Sequence, residues 1–222
     1  MHRRGAWAWL CAAAAARAQG ATTPPLVAAA ARGDLAEVQR LLDAGAAIDA
    51  RDGRGRNAVL AATQGGHEAV ARLLIEHGAD VNAQDEIDDS AFLLAGASGH
   101  TGIVRAALAA RPPPDFKRLN RYGGTALIPA CHHGHVETVR LLVTTGIDID
   151  HVNRLGWTAL LEAILLGDGG AAHTEIVRIL LAHRANPNLG DREGVTPLAH
   201  ALRRGQREIA QLLRAAGARE TR

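Results

Sequence analysis

A short motif that ends in glycine recurs at a nearly constant spacing along this chain. Its glycines are Gly33, Gly66, Gly99, Gly134 and Gly205, and the first three intervals are 33, 33 and 35 residues. Two further series keep the same phase: Gly45, Gly78, Arg111, Gly146, Arg184 and Gly217, then Asp52, Asp85, Asn120, Asn153 and Asp191. A fixed period of this length is typical of a repeat array, in which each unit is one small supersecondary element. We therefore predict stacked copies of a single unit.

Between these markers the pattern in each unit is a short helix, a turn, a second helix and an extended loop. In "TALIPACHHGH" Thr125 precedes the first helix, where its hydroxyl can cap free backbone N–H groups. In "TPLAHALRRG" Pro197 stands in the first turn, where its missing donor costs little. Only 3% of the residues are aromatic, which favours thin, closely packed helices over a core built on large rings.

The chain resembles the ankyrin-repeat family, whose unit has about 33 residues and a T-P-L-H-x-A signature. The best copies are "GRNAVLAATQGGHEAVARLLIEHGADVNAQD", residues 55–85, and "GVTPLAHALRRGQREIAQLLRAAGA", residues 194–218. The resemblance implies an all-α fold, an ankyrin-repeat solenoid of about six helix-turn-helix repeats with extended hairpin loops. It covers residues 24–218, leaving 19–23 as a linker and 219–222 as a C-terminal tail.

Residues 1–18 have the pattern of a secretory signal peptide. Arg3 and Arg4 precede an apolar run, and Ala16, Arg17 and Ala18 form an A-x-A cleavage site. We predict export to a bacterial periplasm, with no stable membrane insertion after cleavage. Because the apolar run is shorter than the roughly 20 residues that span a bilayer, an uncleaved membrane anchor is the lesser alternative.

Loss of this segment would change the charge of the chain. Arg3, Arg4 and Arg17 are among 25 basic residues, so 22 would remain against 23 acidic ones. A nearly neutral protein lacks the main electrostatic attraction for a polyanion, so we expect no nucleic-acid partner. The loops alternate in sign, and we expect their charges to neutralise each other across neighbouring repeats. The groups are Arg51, Arg54 and Arg56, then Asp85, Glu86, Asp88 and Asp89, then Lys117, Arg118 and Arg121.

The stretch from Ala163 to Val177 is five residues longer than the matching stretch from Ala130 to Val139. We predict that "LLEAILL" lengthens the first helix of the fifth repeat and that "GDGGAA" forms a protruding turn. Gly167, Gly169 and Gly170 suit such a turn, and Asp168 can accept hydrogen bonds from nearby N–H groups. The insertion is either a recognition element or a neutral surface insertion.

The segment "CHHGH" contains four residues of metal-ligand type, Cys131, His132, His133 and His135. Adjacent helical residues diverge by about 100° and Gly134 ends the helix, so the spacing is poor for zinc. The repeat also places Cys131 in the packing layer, which predicts an inert thiol. We expect no metal, no cofactor and no catalytic residue, but a metal-binding or redox-protective accessory protein using Cys131 and the nearby histidines is the alternative function.

The strongest functional indication is aromatic. Tyr122 and Trp157 both fall in the loop before a first helix, in consecutive repeats. The resemblance implies that these loops and the first helices form a concave binding face, on which Tyr, Trp and Arg tend to dominate the energy. The predicted patch contains Arg121, Tyr122, His132, Arg154, Trp157, Glu162 and Asp168. Trp157 can alternatively pack on the neighbouring repeat. We predict a monomeric, non-enzymatic scaffold that binds another protein.

Overall fold

The computed structural model describes residues 22–220. The predicted signal peptide, most of the linker and the end of the tail lie outside this range. The described residues form twelve α-helices and no β-strand. The helices are α1 Pro25–Ala31, α2 Leu35–Asp43, α3 Ala58–Gln64, α4 Glu68–Glu76, α5 Ala91–Ala97, α6 Thr101–Leu108, α7 Leu127–His132, α8 Val136–Leu142, α9 Ala159–Leu165, α10 Ala171–Ala182, α11 Pro197–Arg203 and α12 Arg207–Ala215. The predicted all-α class is confirmed.

These helices form six hairpins that stack in chain order. The first helices α1, α3, α5, α7, α9 and α11 contact one another in sequence, and so do the second helices α2, α4, α6, α8, α10 and α12. Each repeat therefore buries its apolar side mainly against its two neighbours, as in a solenoid. Small residues such as Ala29, Ala62 and Ala130 are fully buried between the layers, where they allow close approach.

Most first helices begin at a polar cap. Asn57, Ser90, Thr158 and Thr196 each accept a hydrogen bond from the backbone N–H three residues later. The prediction that Thr125 caps α7 was wrong. Its hydroxyl is buried without a hydrogen-bond partner among residues 22–220, because α7 begins one residue late, after Ala126.

The loops between repeats are five copies of one tight turn. They begin at Asp52, Asp85, Asn120, Asn153 and Asp191. In each, the side-chain oxygen of the first residue accepts hydrogen bonds from the backbone N–H groups two and four positions later. The third residue of every turn therefore stands at an equivalent, exposed tip.

The insertion in the fifth repeat lies elsewhere than predicted. Helix α9 keeps seven residues, whereas α10 has twelve, so the prediction that "LLEAILL" lengthens the first helix was wrong. Helix α10 gains residues at its start: His173 is its third residue, while His67, His100 and His135 precede α4, α6 and α8. The backbone oxygen of His132 holds the His173 ring at 2.9 Å, which keeps the register of the repeat and leaves the extra residues to extend α10 upstream.

The turn formed by residues 166–170 also contacts the next repeat instead of simply protruding. Arg204 donates to the backbone oxygen of Gly167 in the turn at 3.3 Å, and just before the turn the side-chain amide of Gln206 donates to the backbone oxygen of Ile164 in α9 at 3.0 Å. The insertion is thus part of the stack between repeats five and six.

Within residues 22–220, every helix falls short of the length and apolar character that crossing a bilayer would require.

Candidate functional site

Three consecutive loop tips expose large apolar side chains. Ile87, Tyr122 and Leu155 are 52%, 56% and 49% exposed, and they occupy the same position in successive turns. We call these three residues the fingertip ridge. The equivalent tips on either side are the charged residues Arg54 and Glu193, so the apolar character is confined to the central repeats. An exposed apolar cluster with a charged rim is typical of an interaction surface.

A groove of about 400 Å³ lies between the central tips and the first helices, and we call it the central groove. Its apolar lining includes Leu94, Ile128, Leu155 and Leu166, the last of which is 42% exposed at the end of α9. Four residues of the predicted patch line this groove: Arg121, Tyr122, His132 and Glu162. The structure therefore brings these four residues of the predicted patch into one groove.

Arg121 is held in position at the rim of the groove by two contacts. Its guanidinium lies 3.2 Å from the Asp89 carboxylate of the preceding loop and 5.1 Å from the centre of the Tyr122 ring. This ion pair is one contact of the kind predicted between oppositely charged neighbouring loops. Half-buried Asp89 has a pKa raised above its ordinary value, because burial outweighs the opposing effect of Arg121. Both contacts restrain the aromatic ring and the cation together.

Glu162 lies at the floor of the groove and is only 5% exposed. Its Oε1 accepts a 2.9 Å hydrogen bond from the side-chain amide of Asn153, the residue that starts the adjacent turn. Its Oε2 lies 3.6 Å from Nδ1 of His132, which is too long for a hydrogen bond. Burial raises the pKa of Glu162, and the Asn153 hydrogen bond only partly opposes that effect.

The imidazole of His132 is a weak positive partner for the Glu162 carboxylate. Burial, followed by the neighbouring His133 and His173, lowers its pKa. The shifts of His132 and Glu162 both favour the neutral forms, although their separation is short enough to suggest an ion pair. Desolvation is the main effect on both groups, and within residues 22–220 no arginine or lysine forms an ion pair with the carboxyl group.

Three residues of the predicted patch lie outside the central groove. The backbone N–H of Arg154 donates to the oxygen of Tyr122 at 2.9 Å and its guanidinium to the oxygen of Arg121 at 2.6 Å, so Arg154 braces the neighbouring turn. Trp157 is partly buried and is not among the groove residues. Asp168 is 79% exposed and bonds the ring of His173 and the N–H of Gly170, both at 2.8 Å.

The segment with metal-ligand residues does not converge on one point. His132 and His133 stack with ring centres 4.2 Å apart, while Cys131 is completely buried in the packing layer, as predicted. Burial, with a smaller effect from Glu162, raises the pKa of the Cys131 thiol well above its ordinary value. In the described part of the chain, no three His, Cys, Asp or Glu side chains form a group that could hold a metal ion.

The aliphatic part of this surface was not predicted from the sequence. Ile87 and Leu155 share the tip position with Tyr122, and Leu166 and Asn153 complete the groove. The sequence does contain a signal for these residues. When the five turns are aligned on their first residue, Ile87, Tyr122 and Leu155 occupy the same position. The predicted patch was based on aromatic and charged residues, so it did not include the aliphatic tips Ile87 and Leu155.

The sequence of this chain matches the model of one known protein family. The family model for "Ankyrin repeats (3 copies)" matches residues 8–85, 92–191 and 148–222. The chain belongs to the ankyrin-repeat family. This membership agrees with the six stacked hairpins and with the resemblance seen in the sequence.

Individual ankyrin-repeat proteins are similar to this chain, and the matched share of their length differs from one protein to another. The putative ankyrin repeat protein YahD of Escherichia coli K12 is 52% identical over 106 residues, which is 47% of this chain and 53% of YahD. The chain thus spans about half of this curated relative. A solved ankyrin repeat domain from Acinetobacter baumannii AYE is 52% identical, with a TM-score of 0.84, and the match covers 88% of this chain and 98% of that one.

A more distant solved structure is the ankyrin repeat domain of Bcl-3, described as a unique member of the IkappaB protein family. It is 29% identical, with a TM-score of 0.79, over 90% of this chain and 88% of that one. Ankyrin repeats generally mediate binding to other proteins, which is the coarse function that this membership supports.

Proposed function

We propose that this protein is a non-enzymatic protein–protein interaction scaffold that acts in the bacterial periplasm. Its binding surface is the face made by the first helices and the fingertip loops, which is concave in ankyrin arrays. The observation that carries this proposal is the fingertip ridge of Ile87, Tyr122 and Leu155 above the central groove.

The ridge has the chemistry of a binding surface. Its three side chains remain half exposed although the chain has many buried positions for apolar residues. The turn beneath each tip is fixed by paired side-chain hydrogen bonds, so little backbone entropy is lost when a partner binds. A rigid apolar ridge beside an Arg–Tyr pair resembles the anchors that dominate protein interfaces.

A crosslinking experiment tests the surface in the source organism. The photoreactive amino acid p-benzoylphenylalanine is placed at Leu155 and, in a matched variant, at Arg105 on the exposed side of α6. The Leu155 position should give a discrete protein adduct that the Arg105 position lacks. Identical adducts from both positions, or none from Leu155, would reject the proposed face.

The periplasmic location is supported by the basic residues, apolar run and A-x-A motif of residues 1–18. Cell fractionation followed by N-terminal sequencing tests it. We expect the protein in the periplasmic fraction with Gln19 as its first residue. Recovery in the cytosol with residues 1–18 intact would refute export without affecting the binding surface.

A further inference from the structure

The central groove contains a buried carboxyl group with an unused oxygen. Glu162 Oε1 accepts a hydrogen bond from Asn153, whereas Oε2 accepts none from residues 22–220 and lies 3.6 Å from Nδ1 of His132. Buried charged groups are normally paired, because removing a charge from water costs several kcal/mol. Among residues 22–220 the ionised Glu162 carboxylate has no hydrogen-bonded cation, so a cation brought to the groove floor would favour its ionised form.

The cationic side chains near the groove are bonded to groups other than Glu162. Among residues 22–220, Arg121 forms its ion pair with Asp89, and the Arg154 guanidinium donates to the backbone oxygen of Arg121. His132 has a lowered pKa, which favours its neutral form. No arginine or lysine of the described chain forms an ion pair with Glu162.

Neighbouring contacts hold the Glu162 side chain in place. Asn153 Oδ1 accepts hydrogen bonds from the backbone N–H groups of Leu155 and Trp157, so the Asn153 amide has a fixed orientation. That amide in turn holds Glu162 Oε1 at 2.9 Å. A carboxylate fixed by one oxygen, with the other oxygen free, is preorganised to accept from a charged donor.

The walls of the groove suit the rest of a basic side chain and its neighbours. Tyr122, Leu155 and Leu166 are exposed apolar groups around the entrance. The aliphatic stem of an arginine or lysine packs well on such surfaces while its charged end seeks an acceptor. Apolar residues that flank this basic residue in a partner segment would pack on the exposed side chains of Tyr122 and Leu155.

We infer that the central groove binds a partner segment that inserts a basic side chain against Glu162 and places flanking apolar side chains on Tyr122 and Leu155. This inference rests on the proposed scaffold function and specifies the chemistry of the partner. An acidic segment is repelled by the Glu162 carboxylate, and a neutral polar segment leaves that carboxylate without a counter-charge.

Short blocked peptides test this specificity on the full chain. The probes are acetyl-Leu-Arg-Leu-amide, its lysine analogue and its citrulline analogue, which keeps the shape of arginine without the charge. Binding is measured by calorimetry with peptide up to about 5 mM, because small ligands bind weakly. The arginine or lysine peptide should bind at least about tenfold more tightly than the citrulline peptide.

A charge-neutral variant provides the second comparison. Glu162→Gln retains an acceptor for Asn153 and should bind the arginine and citrulline peptides equally. Glu137→Gln removes an exposed carboxylate on α8 and should keep the preference. Equal binding of the charged and neutral peptides by the unmodified protein, or no binding of the arginine peptide at about 5 mM, would overturn the inference.

The peptide comparison on the unmodified protein needs no variant, so it remains decisive if Glu162→Gln fails to fold. Failure of this inference is also distinguishable from failure of the scaffold proposal. A protein adduct at Leu155 that persists without any charge preference would support a binding surface of different specificity.

Discussion

The side-chain amide of Asn153 donates a 2.9 Å hydrogen bond to the buried carboxyl group of Glu162. The same asparagine shapes the loop through its other side-chain atom, which accepts from Leu155 and Trp157. Asn153 therefore both fixes the backbone of the turn that carries Leu155 and holds the Glu162 carboxyl group in the groove.

Replacing Glu162 by glutamine should stabilise the protein at neutral pH. Burial raises the folded-state pKa of Glu162 above its ordinary value of 4.5, so the folded state binds the proton more tightly than the unfolded state. Stability from this group is present at low pH and is lost as pH rises through the folded pKa. Glutamine avoids this loss and still accepts from Asn153.

The gain in the Glu162→Gln variant should be largest near pH 7 and vanish below about pH 4.5. Each kcal/mol gained raises the melting midpoint by about 2–4 °C in a chain of this size. Thermal unfolding followed by circular dichroism at pH 4 and pH 7 measures the difference, with Glu137→Gln as the exposed control. A gain of the same size at both pH values would contradict the assigned burial effect.

Replacing Asn153 by aspartate should destabilise the protein by about 2 kcal/mol or more. Aspartate preserves the turn, since it starts three of the five equivalent turns, but it removes the donor to Glu162 and adds a like charge beside it. Asn120→Asp is the matched control, because Asn120 uses its side-chain oxygen for the same two turn bonds.

Urea unfolding of these two variants is the measurement. Asn120→Asp should change the free energy of unfolding by less than about 0.5 kcal/mol. Equal losses in both variants would mean that the turn, rather than the contact with Glu162, determines the effect. Adding Glu162→Gln to Asn153→Asp should recover part of the lost stability.

The Cys131 thiol should be almost unreactive in the folded protein. It is completely buried, and its pKa is raised mainly by burial, so little thiolate exists at neutral pH and reagents cannot reach it. In a Cys11→Ser background, we expect a colorimetric thiol reagent to label Cys131 at least about 100-fold more slowly than in urea. Labelling at similar rates in both conditions would show that the packing layer is open.

Replacing Gly167 by alanine should destabilise the fifth repeat by about 1–3 kcal/mol. A Cβ atom at this position would lie 2.2 Å from the backbone oxygen of Ala163 and 2.4 Å from the His173 ring. Gly53→Ala is the control, since a Cβ there meets no atom within 4 Å and the residue lacks a positive φ. Urea unfolding that shows no loss for Gly167→Ala would indicate that the insertion is not packed as described.

Local chemistry made much of this fold predictable. The spacing of turn residues, the polar caps and the apolar helix positions act within one repeat, so the sequence alone determined the all-α solenoid and its fingertip loops. Thr125 is an exception, because the late start of α7 moves its hydroxyl away from the backbone group that it was expected to cap.

The candidate site was predictable only in part. Tyr122 and Arg121 could be found because residue type and loop position both indicated them, and His132 and Glu162 because their helices follow these loops. Trp157 lies in the corresponding loop but not at the tip: it is the fifth residue of its turn, two residues after Leu155, and it does not line the groove.

By itself, the sequence determined the repeat, its period and the place where five residues were added. Only the tertiary structure decided that the added length extends α10 and that one oxygen of Glu162 has no hydrogen bond within residues 22–220. The reason is that residues in one helical hairpin obey local rules, whereas register between hairpins and burial of a carboxyl group depend on contacts between repeats that lie 30 or more residues apart.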